Sequence, residues 1–270
     1  MAALKALPPA VRALLSNPIL VVVVGLFGLV QLPQLAFQPT QPILAAVVSL
    51  VLTAVMIFVV PFFQGGLLGM ADEALAGSTD LGTLVAAGKA NYVTLLLAYL
   101  AVFAVNVVFG VVVMFAVIVG GIGLFGGNGQ PGIAALGVVG VVGGLIVLAY
   151  LLIGFFIQFY AHAIVLSDGG LVGGFTRSMG LVRSHFLSVV GYSLVIMAGS
   201  LVFGGVAGVG SIILSPQPTG LPVPDLSAAV LTGAAIVYVL AIAVLGAFYG
   251  TYSVAFYRAI DSNSVDRAIE

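Results

Sequence analysis

The chain has 270 residues, of which 62% are hydrophobic and only 6% are charged, and its mean hydropathy is +1.33. Soluble domains carry roughly a quarter charged residues, so this composition excludes a soluble globular domain and predicts an all-α, polytopic bundle of transmembrane helices. The formal net charge of −1 offers no extended basic surface for nucleic acid, and a chain without cysteine has no disulfide, thiolate metal site or cysteine nucleophile.

The N-terminal region combines a basic start with an apolar run, a pattern that signal peptides share. The run that follows Pro18 ends in QLPQLAFQ, which contains no small-x-small cleavage site. Removing the run would also leave an odd number of crossings. We therefore expect a retained first crossing, from about residue 19 to residue 35.

A short amphipathic helix is expected before this first crossing. Pro8 and Pro9 suit its first turn, where a missing N–H costs nothing. Its apolar face is expected at Val11, Leu14 and Leu15, and its polar face at Lys5, Arg12 and Ser16. We call such a segment an elbow, because it would lie along the membrane surface and turn into a crossing.

Five further apolar runs follow, and Gly- and Pro-rich loops separate alternate pairs of them. The runs predict crossings at about residues 43–70, 92–118, 133–166, 186–214 and 228–260, with loops at 38–41, 120–132 and 215–227 and a polar tail from Asp261. At 1.5 Å per residue the fourth crossing would be roughly 50 Å long, which exceeds a hydrocarbon layer of about 30 Å. It must therefore tilt, kink or project, and its glycines would allow a kink or a close helix contact: Gly137, Gly140, Gly143 and Gly144.

Two further elbows are expected before the third and fifth crossings. In the second, Ser78, Thr79 or Asp80 would cap a helix whose apolar face holds Leu81, Leu84, Val85 and Tyr92. In the third, an apolar face is expected at Leu171, Phe175, Met179, Val182 and Phe186, opposite Thr176, Arg177, Gly180, Arg183 and Ser184. A basic helix of this kind suits the headgroup layer of a bilayer.

The positive charges agree with six crossings. All of the basic residues fall on one side of this map: Lys5, Arg12, Lys89, Arg177, Arg183, Arg258 and Arg267. By the positive-inside rule, both termini and the three elbows are expected on the cytoplasmic side of a cell membrane.

The elbows and crossings also resemble one another, which suggests an internal repeat within a single domain of residues 1–270. The outward crossings begin SNPILVVVVGL, ANYVTLLLAYL and SHFLSVVGYSL, so that Asn17, Asn91 and His185 take the same place and are expected to cap helices or to lie at an interface. GFFIQFYAHAIVLSD aligns with AFYGTYSVAFYRAID, which places Asp168 opposite Asp261. Three parallel units of about 1–70, 71–166 and 167–260 would result. The alternative is that Val- and Gly-rich helices resemble one another by composition alone.

The stretch AIVLSDGGLVGGFTRSMGLVRSHFLSVVGYS, from Ala163 to Ser193, carries an acidic residue and Gly, then R-S, then L-V-R, then an aromatic residue that enters a crossing. It resembles a motif of a broad group of prokaryotic membrane proteins, which contains the membrane domain of some glycerophosphodiester phosphodiesterases and several six-crossing families. The residues that match are Asp168, Gly169, Arg177, Ser178, Leu181, Val182, Arg183 and Phe186. The resemblance implies a fold more than an activity, because the soluble phosphodiesterase domain is not part of the match.

Basic residues at the elbows are the candidate contacts for lipids or for a partner: Arg177, Arg183, Lys89 and Arg12. Each basic group near an anionic surface attracts headgroups by about 1 kcal/mol. The alternative is that these residues only fix the orientation of the chain.

His162 and Gln158, four residues apart, are the intramembrane polar candidates. A neutral histidine beside a glutamine can also satisfy an interhelical hydrogen bond, which is the favoured interpretation. Two histidines without a carboxylate cluster do not form a metal site, and no catalytic constellation or cofactor is predicted. Gly204 and Gly208 are expected to allow tight helix packing.

Three functions remain open from the sequence. The first is a non-enzymatic membrane protein that binds lipids, a membrane-protein partner or a second copy of itself. The second is a small-molecule transporter or a channel with a pathway along the bundle axis, although the crossings lack the acidic residues of ion coupling. The third is a lipid-modifying enzyme that uses His162.

Overall fold

The computed structural model describes residues 2–29, 42–125, 133–214 and 228–269. Within these ranges the regular secondary structure is entirely helical. The helices are α1 Ala2–Lys5, α2 Leu7–Ser16, α3 Ile19–Leu29, α4 Pro42–Ala76, α5 Leu81–Phe125, α6 Ile133–Ile157, α7 Tyr160–Leu166, α8 Leu171–Ser184, α9 Phe186–Leu214 and α10 Ala228–Ile269. The expected loops at 38–41 and 215–227 lie outside the described residues.

Four of the helical segments are long and apolar enough to cross a membrane: Ala46–Ala76, Leu81–Ile118, Gly140–Leu166 and Ala235–Ser262. Two helix pairs meet the same criteria only when joined, and each pair is sharply bent. The bend between Ala2–Ser16 and Ile19–Leu29 is 83°, and the bend between Leu171–Ser184 and Phe186–Val202 is 101°. The protein is therefore a membrane-embedded, all-helical protein with four to six candidate spans among the described residues.

The first bend lies between α2 and α3, where Pro18 follows Asn17. A proline disfavours helical geometry at the residue before it, and Asn17 has φ −129° and ψ 70°. The Asn17 side chain donates to the carbonyl of Ala13 at 2.9 Å, which satisfies a carbonyl that the ended helix leaves free. Prolines occupy the start of α2, as expected.

The second bend lies between α8 and α9 and contains no proline. His185 is the C-cap residue of α8, and its backbone N–H donates to the carbonyl of Leu181 at 3.0 Å. The Ser184 hydroxyl donates to the same carbonyl at 3.2 Å. Backbone and side-chain donors therefore end α8 here, and α9 begins at Phe186, the residue at which the fifth crossing was expected.

The second elbow is not a separate helix, and that expectation is wrong. α5 runs without a break through its whole length, so the elbow continues straight into the third crossing and past it into the glycines assigned to a loop. Asp80 caps α5 as expected, because its Oδ1 accepts from the Thr83 N–H at 3.1 Å. The polar tail after Asp261 is also helical, since α10 continues to Ile269.

Close packing against α4 explains why the second elbow stays straight. A Cβ atom at Gly66 would lie 2.5 Å from the Leu84 carbonyl oxygen, and a Cβ at Gly88 would lie 2.9 Å from the Phe62 carbonyl oxygen. Real Cβ atoms do not approach backbone oxygens this closely. Only glycine lets the α4 and α5 backbones approach each other in this way.

The glycines expected to allow a kink or close contacts do neither in this chain. α6 is continuous across Gly137 and Gly144, and an added Cβ would meet no atom within 4 Å at either position. The same open space surrounds Gly204 and Gly208. The fourth crossing is instead interrupted at Gln158, between α6 and α7.

The packed core lies at the end of the bundle where the short helices meet the long ones, which we call the base. The base comprises α1, α2, α7, α8 and the adjoining ends of α3, α4, α5, α9 and α10. The largest fully buried side chains all lie there: Leu20, Met70, Leu95, Phe159, Ile164, Val182, Val189, Tyr252, Val254, Phe256, Tyr257 and Ile260. Farther along the helices apolar side chains are exposed, such as Val117 at 67% and Leu201 at 74%. Lipid chains suit such surfaces.

The apolar face predicted for the first elbow is wrong. Alanines face the bundle from α1 and α2: Ala3, Ala6, Ala10 and Ala13. Val11 and Leu15 point away from it, with 43% and 78% of their surface exposed. Small side chains allow the elbow backbone to approach the base, because a larger residue would hold it at a distance.

Candidate functional site

Aromatic side chains fill the centre of the base. Tyr192 of α9 stacks on Phe256 of α10 at 4.5 Å between ring centroids and lies 5.3 Å from the ring of Tyr252. Phe159, at the interruption of the fourth crossing, lies 5.4 Å from Tyr192. The Tyr252 hydroxyl donates to the Ala3 carbonyl at 3.2 Å and so ties the N-terminal helix to this cluster.

His162 belongs to the wall of this cluster and bonds across the bundle. Its Nε2 lies 2.9 Å from the Ser253 Oγ. Ser253 uses its own hydrogen to donate to the Gly250 carbonyl, so Nε2–H must be the donor to Ser253. The interhelical hydrogen bond is confirmed, but Gln158 is not part of it, because Gln158 donates to the Phe155 carbonyl at 2.8 Å.

Ser178 of α8 holds the interruption of the fourth crossing, a role that the sequence analysis missed. The Phe159 N–H donates to Ser178 Oγ at 3.1 Å, and Ser178 Oγ donates to the Phe156 carbonyl at 2.9 Å. The serine is fully buried. Its hydroxyl replaces helical hydrogen bonds that the break removes, which is a recognised cause of such breaks. The only sequence signal was its place in the R-S pair of the motif.

Arg177 is engaged by the protein and is not free for a headgroup. Its Nη2 donates to both carboxylate oxygens of Asp261, at 2.8 and 3.0 Å. This hydrogen bond raises the pKa of the Arg177 guanidinium above its ordinary value, so the pair stays charged. Arg258 makes a second, two-pronged pair with Asp72, with distances of 2.7 and 2.6 Å. Both pairs link helices at the base.

Arg183 and Arg12 are exposed and have no carboxylate partner among the described residues. The Arg183 guanidinium carbon lies 5.9 Å from the centre of the Phe156 ring, a cation–π distance. Arg12 lies on α2 beside the exposed side chains of Val11 and Leu15. Each of these two arginines therefore stands on a bent elbow next to apolar surface.

Lys89 lies apart from the bent elbows, on the straight helix α5. It is exposed and forms one wall of an open groove with Tyr92 of the same helix. Phe58, Val59 and Phe62 of α4 form the other wall. Two of the predicted contact residues thus lie on elbows, one is ion-paired, and one lies in a groove.

Asn17 and Asn91, expected to play equivalent parts, differ. Asn17 donates to the Gly77 carbonyl at 3.1 Å and accepts from the Thr79 N–H at 3.0 Å, which joins the first bend to the turn before α5. Asn91 lies inside α5 and donates to the Ala87 carbonyl of its own helix at 3.2 Å. In the described part of the chain, no three His, Asp or Glu residues are close enough to hold a metal ion.

A family model described as a domain of unknown function (DUF7847) matches residues 1–260. The chain belongs to this family. The DUF7847 match covers the three elbow segments, the groove and Arg258, and it ends one residue before Asp261. No curated protein matches the chain, and no solved structure does. The description of DUF7847 names no activity, and the resemblance to the membrane domain of glycerophosphodiester phosphodiesterases stays a prediction.

Proposed function

We propose that this protein is a non-enzymatic membrane protein whose base binds anionic lipid headgroups through Arg12 and Arg183. The observation that carries the proposal is the exposure of both arginines on bent elbows. The bends of 83° and 101° turn α2 and α8 across the direction of the crossings that follow them. A helix in this orientation lies along the membrane surface, with cations at the headgroups and apolar side chains below them.

The proposal includes six crossings with both termini and all elbow segments on the cytoplasmic side. Contacts within the base support it, because segments far apart in sequence meet there. Ala3 and Ala10 of the first elbow pack in one cluster with Val182 of the third elbow and with Ile260 near the C-terminus. Crossings that return to the same side would bring these segments together.

A repeat of three hairpins is also part of the proposal, in a modified form. Asn17 and His185 mark equivalent bends, and Asp72 and Asp261 both accept arginine hydrogen bonds at the inner ends of inward helices. The middle unit departs from the pattern because α5 is straight. Equivalent polar residues at equivalent places support descent from a common unit more strongly than shared apolar composition.

The transporter and enzyme alternatives receive less support. Aromatic rings of Tyr192, Tyr252 and Phe256 pack together within the base, so a pathway through the base would require them to move. His162 has its Nε2 engaged by Ser253 and its Nδ1 fully buried. A catalytic base must reach the proton that it removes, and this histidine is enclosed by protein. A membrane-protein partner or a second copy remains an alternative occupant of the exposed outer surfaces.

Lipid retention tests the proposal. The protein is purified in detergent with a mixture of phosphatidylglycerol and phosphatidylcholine, and bound lipid is counted by native mass spectrometry. The Arg12→Gln, Arg183→Gln double variant is expected to lower the preference for phosphatidylglycerol, by about five-fold for each charge lost. Arg177→Gln is the matched control, because Asp261 already occupies that side chain. An unchanged preference in the double variant would rule the proposal out.

A further inference from the structure

The groove between α4 and α5 is not used by the elbow arginines. It is lined by Phe58, Val59, Phe62, Lys89 and Tyr92, and its volume is about 400 Å³. Ligand pockets usually measure roughly 300–1,000 Å³. The groove is therefore large enough to hold a ligand, and four of its five walls are apolar or aromatic side chains.

Gly88 shapes the base end of this groove. A Cβ at position 88 would lie 3.0 Å from the Phe62 ring, so glycine allows that ring to lie directly on the α5 backbone. The Phe62 ring also meets the ring of Tyr92 in an edge-to-face arrangement, with 6.4 Å between centroids. Neighbouring residues on both helices therefore fix these two aromatic side chains.

The groove has a polar end and an apolar end, and their order follows from the chain directions. α4 runs towards the base, so Phe58 lies farther from the base than Phe62. α5 runs away from the base, so Lys89 lies closer to the base than Tyr92. The cation thus stands at the base end of the groove and the apolar wall extends away from it, as the head and tail of a lipid would in the leaflet on that side.

Lys89 needs an anion from outside the described part of the chain. It is exposed, and neither ion pair among the described residues includes it. Arg177 and Arg258, the other basic residues next to long helices at the base, already bind carboxylates. A cation beside an apolar groove complements a ligand with an anionic head and a hydrocarbon tail.

We propose that this groove holds one anionic phospholipid of the leaflet on the base side, with its phosphate at Lys89 and one acyl chain along Phe58, Val59 and Phe62. The inference rests on the proposed function only for placing the base at the headgroup layer. It goes beyond that function because it assigns a defined site for an acyl chain, and it does not need Arg12 or Arg183.

Tryptophan fluorescence can test this site, because the chain contains no tryptophan. Phe58→Trp places a reporter in the groove. Val93→Trp is its control, since Val93 follows the groove residue Tyr92, faces outward with 67% of its surface exposed, and does not line the groove. Each variant is reconstituted in phosphatidylcholine vesicles with a small fraction of phosphatidylglycerol whose acyl chains are brominated. Brominated phosphatidylcholine in the same fraction corrects for the depth of each reporter.

The proposal predicts that brominated phosphatidylglycerol quenches the Phe58→Trp reporter more than brominated phosphatidylcholine does, and that the Val93→Trp reporter shows no such excess. Adding Lys89→Gln should weaken the preference about five-fold, and Lys89→Arg should retain it. Equal quenching by both lipids at the groove reporter, or an excess that survives Lys89→Gln, would overturn the proposal.

The two proposals fail separately. If the Arg12→Gln, Arg183→Gln variant retains its lipid preference while Lys89→Gln abolishes the excess quenching, the elbow proposal is wrong and the groove stands. If the excess quenching is missing while the double variant loses its lipid preference, the groove proposal is wrong and the elbows stand. Circular dichroism confirms that each variant is folded, and exposed positions such as Lys89 are expected to leave helicity unchanged.

Discussion

The second and third elbow segments resemble each other in sequence, yet one continues straight into its crossing and the other turns by 101°. Each places a basic residue shortly before an aromatic entry residue, with Lys89 before Tyr92 and Arg183 before Phe186. The difference lies in what each segment packs against. An amphipathic pattern therefore predicts a helix at the interface, but neighbouring helices decide its direction.

Packing gives each segment its direction in a different way. The second segment lies on the glycines of α4, where any side chain at Gly66 would strike the Leu84 carbonyl. The third segment inserts Ser178 into the interruption before α7, and its helix ends at the His185 cap. Close backbone contact along α4 favours a straight α5, whereas a side chain inserted into another helix fixes α8 across the bundle.

Gly66→Leu should have the largest effect, because it separates the straight segment from α4. Overpacking of a tight contact costs about 1–3 kcal/mol, and we expect a value near the upper end since the obstacle is backbone. The free energy of unfolding in mixed micelles measures it. Gly140→Leu is the control, as an added side chain there meets open space. Equal stability of the two variants would contradict the packing explanation.

Ser178→Ala tests the anchor of the bent segment. The substitution leaves the Phe159 N–H and the Phe156 carbonyl without their serine partner in a buried place, at a cost of about 1–3 kcal/mol. The same unfolding measurement applies, with Thr176→Ala of α8 as the control, because Thr176 is exposed and bonds only to carbonyls of its own helix. A loss no greater than that of the control would show that Ser178 is not the anchor.

Asn17→Ala compares a bend with a straight helix. We expect a loss of about 1–2 kcal/mol, because the side chain caps α2 and also holds the turn at Gly77 and Thr79. Asn91→Ala removes a single bond within α5 and should cost less. If the two losses are equal, the repeat equivalence of these residues outweighs the structural difference between them.

Asp261→Asn should have the smallest effect on stability, below about 1 kcal/mol, since Arg177 is 42% exposed and exposed pairs contribute little. Its effect on lipid binding should be visible, because the freed Arg177 becomes a third elbow cation. Phosphatidylglycerol retention is therefore expected to rise, and adding Arg177→Gln should remove the increase. No increase would mean that Arg177 does not face the headgroups.

Composition and periodicity predicted the helical elements well, for a physical reason. A bilayer demands about 20 apolar residues for each crossing, so helices such as α9 are visible in the sequence, including its first residue, Phe186. The caps at Asp80 and His185 were also predicted, because capping depends on residues close in the chain. Local chemistry is legible where local chemistry decides.

The contacts between helices could not be predicted in this way. Gly66 and Gly140 look alike in sequence, but one meets a helix and the other meets open space. Arg177 and Arg183 lie six residues apart on one helix, and only Arg177 finds a carboxylate, 84 residues away at Asp261. Such pairings depend on how distant segments pack, which hydropathy does not encode.

The placement of all elbow segments on the cytoplasmic side is the claim on which the account depends most. The chain has no cysteine, so single substitutions at exposed or small polar positions report cleanly: Ser16→Cys, Ser78→Cys and Thr176→Cys, one at each elbow segment. A membrane-impermeant maleimide should label all three in inside-out vesicles and none in intact cells. Labelling of any one of them in intact cells would contradict the account.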